Sequence, residues 1–485
     1  MGQKSIKKNY IYNLSYQILT LITPFITAPY LSRVLGPDGI GSISFAESIV
    51  SYFCLFATLG ITLYGQREIS YVQDNQIKRS QVFWETKILQ IVSSIIVLAL
   101  YVPFCFLQDR SIIYLILSLN LFAVITDITW LFQGLEEFGK IVFRNFVQKV
   151  LMIICIFTLV KSSSDLYIYV LASALFPVLG NISLWFYLPS YVSRPDLKSV
   201  HPMRNFKTIM SLFIPTIAIQ IYTVLDKTMI GLITQSDVEN GYYEQAIKIS
   251  KMILTIVTAL GTVMNPRIGF YFGKKDTAKV NELMYRAYRF VWSIGVPLCF
   301  GLVSVSSKFV PWFFGPGYDK VIPLMCILSF LLLAIGINNI TGIQYLIPTG
   351  RQNIFTKTVL IGAGTNLILN LILITKFQSI GAAISSVTAE TVIALVQFYI
   401  IRHELKINMI FLSGLPYLIS GAIMLVCLKV IGHYFDPTIV NTIILVAGGG
   451  IIYTGSLLIM RDRFFIDNIK SLINMVLKKE KPQNE

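Results

Sequence analysis

The sequence predicts an all-α membrane protein of about fourteen transmembrane helices, with two pseudo-symmetric six-helix lobes around a central cavity and two further C-terminal helices. Three observations predict it: scarce charge, long apolar runs and an internal repeat. Of 485 residues, 55% are hydrophobic and only 13% charged, and the mean hydropathy is +0.68. Soluble domains carry about 25% charged residues, so a solvated surface cannot be built from this composition. The apolar runs are roughly 20 residues long, enough to cross a hydrocarbon core about 30 Å thick. Lipid offers no partner to backbone N–H and C=O groups, so each run must pair them internally as a helix. The two-residue alternation of a membrane barrel is absent.

Spans are expected at about 11–34, 41–64, 82–107, 112–133, 141–160, 166–188, 209–233, 246–272, 285–306, 322–346, 356–375, 380–400, 411–432 and 438–460. Turn signals separate many of them: Gly36-Pro37-Asp38-Gly39, Pro189 and Pro195, Gly315-Pro316-Gly317, and Asp436-Pro437. The basic start MGQKSIKK leads into a stretch too long for a secretory signal core, with no small-x-small cleavage site, so it reads as a retained first span. Met1-Gly2 resembles the start of a myristoylation signal, but a chain with this many spans needs no lipid anchor.

With a cytoplasmic N-terminus, roughly three quarters of the 40 Lys and Arg residues fall in tails and alternate loops on the cytoplasmic side. Both termini are therefore expected in the cytoplasm. The net charge of +15 then faces anionic headgroups. Nucleic-acid binding would need one concentrated basic domain, and the charge is instead distributed. The outer loops are short, and the longest, at 234–245, is acidic (Asp237, Glu239, Glu244). Near the C-terminus, Phe465, Ile469, Leu472, Ile473 and Val476 share one helical face, which suggests a short helix on the inner membrane surface.

The repeat has an offset of about 200–215 residues. LFATLGITLYGQREI at 55–69 pairs with IVTALGTVMNPRIGF at 256–270, so that Leu59-Gly60 matches Leu260-Gly261 and Arg67 matches Arg267. FQGLEEFGKIVFRN at 132–145 parallels IPTGRQNIFTKT at 347–358. Six spans separate the copies, so both halves share one orientation, as in parallel-repeat transporters. The expected divisions are an N-terminal lobe at 1–190, a C-terminal lobe at 191–405, the last two spans at 406–462 and an amphipathic tail at 463–485. Two lobes with a cleft between them suit alternating access.

Ionisable residues inside spans cost at least ~2.5 kcal/mol on insertion scales and are candidates for function. Arg33, Lys227, Lys248 and Lys251 come from spans 1, 7 and 8 and could line a cationic cavity suited to a diphosphate. Arg67 and Arg267, matched by the repeat, join them as substrate-binding candidates. Glu47, Asp127, Asp226 and Glu390 are candidates for binding a coupling proton or cation. The bland alternative is that Arg33 and Lys251 snorkel to the interface and that Asp226 and Lys227 only satisfy neighbours. Pro24, Pro29 and Pro266 each remove a helical hydrogen bond, which makes them candidate gates or static kinks.

Other chemistries find no support. The cysteines (54, 105, 155, 299, 326 and 427) all sit in apolar runs, without metal-ligand spacing or exposed pairs. The histidines 201, 403 and 433 are scattered, forming neither a metal cluster nor a nucleophile–base pair. No phosphate-binding loop for ATP is present. No cofactor or metal is expected, and transport would draw on an ion or substrate gradient.

Several passages carry a resemblance: YLSRVLGPDGIGSISFAESIVSYF (30–53), LGITLYGQREIS (59–70), ITWLFQGLEEFGKIVFRN (128–145), LDKTMIG (225–231), GYYEQAIKI (241–249), LIPTGRQNIFTK (346–357) and NLILNLILI (366–374). Together they span nearly the whole chain. The chain resembles the polysaccharide biosynthesis flippases (Wzx or RfbX type) of the multidrug/oligosaccharidyl-lipid/polysaccharide exporter superfamily. The resemblance implies a bacterial inner-membrane transporter, not an enzyme, that moves undecaprenyl-diphosphate-linked oligosaccharide repeat units to the outer leaflet for O-antigen or capsule assembly. A polysaccharide polymerase and chain-length proteins are the implied partners. In such transporters cavity cations hold the anionic headgroup, in keeping with Arg33, Lys227, Lys248 and Lys251. Peptidoglycan-precursor flippases share the SRVLG passage at 32–36 but usually follow it with an arginine and an acid. Here Pro37-Asp38 follows, which speaks against a peptidoglycan substrate.

Two other classes compete. A multidrug–cation antiporter of the same superfamily would want a cavity dominated by acids and aromatics. A membrane polysaccharide polymerase or glycosyltransferase would want a large outer loop and a carboxylate-rich site, and neither is present in the sequence.

Overall fold

The computed structural model describes residues 6–194, 200–258, 261–468 and 470. Among the described residues the secondary structure is helical, with no strand. Eleven stretches of them are long and apolar enough to cross a membrane. The chain forms two compact units, Met1–Glu244 and Gln245–Glu485.

The first unit contains α1 (Ile6–Thr58), α2 (Ile61–Tyr71), α3 (Gln76–Phe106), α4 (Ser111–Leu117), α5 (Leu119–Thr126), α6 (Thr129–Gly134), α7 (Phe138–Leu159), α8 (Leu166–Trp185), α9 (Phe206–Thr234) and the first turns of α10 (Asp237–Thr258). The long helix α1 holds both of the first two expected spans. Its backbone breaks at Gly36 (φ 68°, ψ 174°), a conformation that only glycine adopts cheaply. Pro37 follows, where a missing N–H removes little because helical pairing is only restarting. Pro24 and Pro29 lie inside continuous helix, so Gly36 makes the break. The second expected span ends early, at Thr58, because Leu59 takes φ 49° before α2 begins.

Expectations about local structure are corrected at several places. The stretch at 112–133 is not one helix but α4, α5 and α6 in succession, because its backbone leaves the helix at Asp127 and Ile128. The acidic outer loop at 234–245 is mostly helix: α10 starts at Asp237, with Asp237 and Glu239 in its first turn. Acids there complement the exposed N–H groups and positive end of a helix, which explains why a charged segment did not remain a loop.

The second unit contains the rest of α10, then α11 (Gly261–Gly273), α12 (Thr277–Phe314), α13 (Val321–Leu328), α14 (Leu331–Asn338), α15 (Gln352–Phe377), α16 (Ser379–Ile401), α17 (Ile407–His433) and α18 (Ile439–Ile459). The stretch expected as one span at 322–346 is α13 and α14 followed by a π-helical segment, Asn339–Leu346. Such wide turns are rare and frequent at functional sites. The helices α17 and α18 pack on α12. Of the expected tail helix, Phe465 packs against this unit's core, while Ile469, Leu472, Ile473 and Val476 lie outside the described residues.

The repeat is visible inside each unit. In the first, α2 packs on α6 and α3; in the second, α11 packs on the π-helical segment and α12. Each cluster is wedged by large buried side chains: Phe83, Trp130 and Phe132 in one, Tyr288 and Trp292 in the other. Lipid tails are as apolar as these side chains, so close packing rather than exclusion from water holds the helices together.

Candidate functional site

Within the first unit, residues 37–58 of α1 lie against α9 and the start of α10 along a polar seam. Ser44, Ser48 and Tyr52 recur every four residues and therefore share one helical face. Ser44 Oγ donates to Glu244 Oε2 at 3.1 Å. The Glu244 carboxylate also pairs with Lys227 Nζ. One turn on, the Thr228 hydroxyl donates to Ser48 Oγ at 3.0 Å and lies 3.1 Å from the Tyr52 hydroxyl. The buried Asp226 accepts from the Tyr243 hydroxyl at 2.5 Å. Consecutive residues Asp226, Lys227 and Thr228 thus serve three separate partners, as successive positions on a helix point about 100° apart.

Glycines let this seam close. Gly41 and Gly241 meet backbone directly: an added Cβ would fall 1.6 Å from the Asp237 carbonyl oxygen in the first case and 2.0 Å from the Pro37 carbonyl oxygen in the second. At the same end, Arg110 spans Asp38 (3.3 Å) and Asp237 (2.7 Å). Burial, helped by Asp38, pushes the Asp237 carboxyl above its ordinary range despite Arg110. Toward the other end, Ser51, Cys54, Thr58, Gly60, Thr216 and Gln220 help line a cavity of about 270 Å³.

The residues singled out by the sequence fall in several places. Lys227, Asp226 and the exposed Glu47 belong to the seam region. Arg33 is exposed, with its guanidinium 3.5 Å from the Pro29 carbonyl oxygen. Arg67 pairs with Glu68 at 2.8 Å and lies over the Tyr64 ring. Lys248, half-buried, and Lys251, exposed, follow on α10 in the second unit. Also in the second unit, Glu390 accepts from Asn338 Nδ2 at 2.5 Å, where α14 gives way to the π-helical segment. Arg267 and Pro266 are exposed on α11. Among the described residues no cluster of His, Cys, Asp or Glu could hold a metal ion.

Asp127 acts locally. Its carboxylate accepts from the Thr129 N–H at 2.8 Å and caps α6. The break it caps is what divides the fourth stretch. Five consecutive carbonyls, at 123–127, each receive a side-chain donor. Asn181 serves Ala123 at 2.8 Å, Gln90 serves Val124 at 3.0 Å and Trp185 serves Thr126 at 2.7 Å. Lys87 serves both Ile125 (2.5 Å) and Asp127 (2.8 Å). A helix end inside a membrane has no water to take its last carbonyls, and here side chains replace it. Sequence reasoning missed Lys87, although it lies inside the expected span 82–107 and an ionisable residue there was the available signal; it is fully buried.

In the second unit, Arg351 forks onto Glu404 through two bonds of 2.6 and 2.9 Å, and the Tyr345 hydroxyl donates to the same carboxylate at 2.5 Å. Burial raises the Glu404 carboxyl, but the bonds from Arg351 and Tyr345 and the Arg351 charge outweigh it and hold the carboxyl below its ordinary range.

Residues 6–272 match the family model described as "Polysaccharide biosynthesis protein". Among curated proteins, one from Escherichia coli (strain K12) named "Putative O-antigen transporter" is 27% identical over 82% of this chain and 97% of its own. The capsular polysaccharide biosynthesis protein CapF of Staphylococcus aureus is 24% identical over 81% of this chain and 98% of its own. Among solved structures, the lipid II flippase MurJ in an inward closed conformation aligns with TM-score 0.72 and 17% identity, covering 95% of this chain and 99% of that one. An inward-facing multidrug-resistance transporter of the MATE family aligns with TM-score 0.62 and 13% identity, covering 82% and 98%.

Proposed function

Since this chain belongs to the polysaccharide biosynthesis protein family, we propose that it is a flippase for lipid-linked oligosaccharides. It carries undecaprenyl-diphosphate-linked repeat units from the inner to the outer leaflet of a bacterial cytoplasmic membrane, by alternating access between two lobes, and supplies O-antigen or capsule assembly. Both termini are cytoplasmic in this reading. A polymerase and chain-length proteins are its partners downstream.

The observation that carries the reading is the polar seam of α1, α9 and α10. Ion pairs and hydroxyl bonds in a membrane are costly to bury but can be exchanged for bonds to a polar substrate or to water. Glycine contacts let the same surfaces seal when no substrate is present. Lys227, Arg33, Lys248, Lys251, Arg67 and Arg267 are the candidate holders of the diphosphate and its sugars. Glu47, Asp127, Asp226 and Glu390 are the candidate coupling acids, Asp127 also capping the break before α6. Gly36, with Pro24, Pro29 and Pro266, supplies the bending points.

One observation favours a second reading. In the seam, Asp226, Glu244 and the nearby Glu47 act on Lys227. Acids gathered in a seam suit a cationic substrate, as in a multidrug exporter. The gene is deleted and cells are labelled with radioactive sugar precursor. Accumulation of lipid-linked repeat units on the cytoplasmic leaflet, reversed by the restored gene, supports the flippase. Normal export with altered drug sensitivity supports the exporter. Orientation is tested separately: a cysteine at exposed Ser164 is expected to react with an impermeant thiol reagent in whole cells, and one at Lys275 is not.

A further inference from the structure

The second unit contains a pocket of about 420 Å³, lined by Pro266, Arg267, Phe270 and Tyr271 of α11 and Lys279, Leu283 and Arg286 of α12. That volume falls within the roughly 300–1,000 Å³ of small-molecule sites. Its charge is unbalanced. Lys279 and Arg286 share one carboxylate, Glu282, at 2.7 and 3.1 Å. Two cations on one acid leave an excess of one. Arg267 adds a third cation from the opposite wall, and its guanidinium has no hydrogen-bond or ion-pair partner among the described residues. The nearby Asp276 is directed elsewhere, capping α12 by accepting from the Lys279 N–H at 3.0 Å. Phe270 and Tyr271 supply an aromatic wall, and Lys274 lies over the Phe270 ring at 4.3 Å.

We infer that this pocket binds the phosphate headgroup of a membrane lipid. A guanidinium offers paired N–H donors in the geometry of phosphate oxygens. Basic pockets between membrane helices on the cytoplasmic side recognise anionic headgroups. A free soluble anion would not need the apolar Pro266, Leu283 and Phe270 beside the cations, whereas a lipid would lay its chain along them. That this end faces the cytoplasm rests on the orientation proposed above; the pocket chemistry does not. Two lipids share the chemistry: the diphosphate carrier of the transported oligosaccharide, and a bulk anionic phospholipid.

The purified full-length protein in detergent is titrated with undecaprenyl diphosphate, cardiolipin and phosphatidylcholine, and bound lipid is read by native mass spectrometry. At least one anionic lipid is expected to bind, and phosphatidylcholine weakly. Arg267→Gln and Arg286→Gln are each expected to weaken anionic binding by about tenfold, and Glu282→Gln to strengthen it, because removing the acid releases both of its cations. Tighter binding of undecaprenyl diphosphate than of cardiolipin assigns the pocket to the transported lipid, and the reverse assigns it to bulk phospholipid. Unchanged binding in both arginine variants overturns the site, as does weaker binding in Glu282→Gln at an unchanged melting temperature. The readout is binding alone, so a protein that exported drugs would still give the expected pattern.

Discussion

Gly41 approaches Asp237 so closely that a side-chain carbon on the glycine would overlap the aspartate's carbonyl oxygen, 1.6 Å away. The obstacle is backbone, which cannot rotate aside. Overpacking of this kind costs about 1–3 kcal/mol. Gly41→Ala is therefore expected to prise residues 37–58 from α10. A cysteine at Ser44, buried in the seam, should then label roughly tenfold faster in whole cells, the equivalent of about 1.4 kcal/mol. Unchanged labelling would show that the seam is not held shut by this contact.

Lys227 and Glu244 form an ion pair whose side chains are only 22% and 16% exposed. Removing one partner strands the other in a poor solvent, whereas removing both does not. Lys227→Met and Glu244→Gln are each expected to lower the melting temperature in detergent more than the double variant does. The double variant is expected to be stable and defective in export. If the three losses simply add, the two side chains are not coupled.

Lys87→Met should be the most damaging single change in the first unit. It leaves the Ile125 and Asp127 carbonyls without a donor, at about 1–3 kcal/mol for each buried unsatisfied group. Asp127→Asn is the informative companion. An asparagine oxygen can still cap the Thr129 N–H but cannot carry a proton-linked charge. Wild-type export by Asp127→Asn, with reduced stability in Asp127→Ala, assigns the residue to the cap. Loss of export at full stability would support it as a coupling acid.

The Arg351–Glu404 fork carries a pH signature. Because the folded carboxyl titrates below its ordinary value, its contribution is fully present above the unfolded carboxyl's pKa, about 4.3. It is lost as pH falls through the lower, folded value. Wild type should therefore melt above Glu404→Gln at pH 7, and the gap should close as pH falls below about 4. A gap that persists at low pH would mean that packing against Tyr345, not charge, holds the loop.

Most of the spans were legible because insertion into lipid depends on length and apolarity, which a sequence displays directly. The turn at Gly36 was legible for a similar reason, since Gly-Pro has few alternatives. Helix breaks inside a span were not. The stretch at 112–133 is as apolar as its neighbours, and the donors that make its break tolerable come from Lys87, Gln90, Asn181 and Trp185, remote in sequence. The seam was half legible: Asp226 and Lys227 stand out in an apolar run, but their partners Tyr243 and Glu244 looked like loop residues. The repeat of Ser44, Ser48 and Tyr52 at helical spacing was the available signal for the facing surface.

The ammonium of Lys87 does for the carbonyls of Ile125 and Asp127 what a bound sodium ion does for oxygen ligands elsewhere. It differs in being tethered. A tethered cation cannot be diluted away, exchanged for potassium or drawn off when the cell's ionic balance changes. The interruption in that helix is therefore built into the chain itself, held by a donor that no change of sodium or potassium can remove.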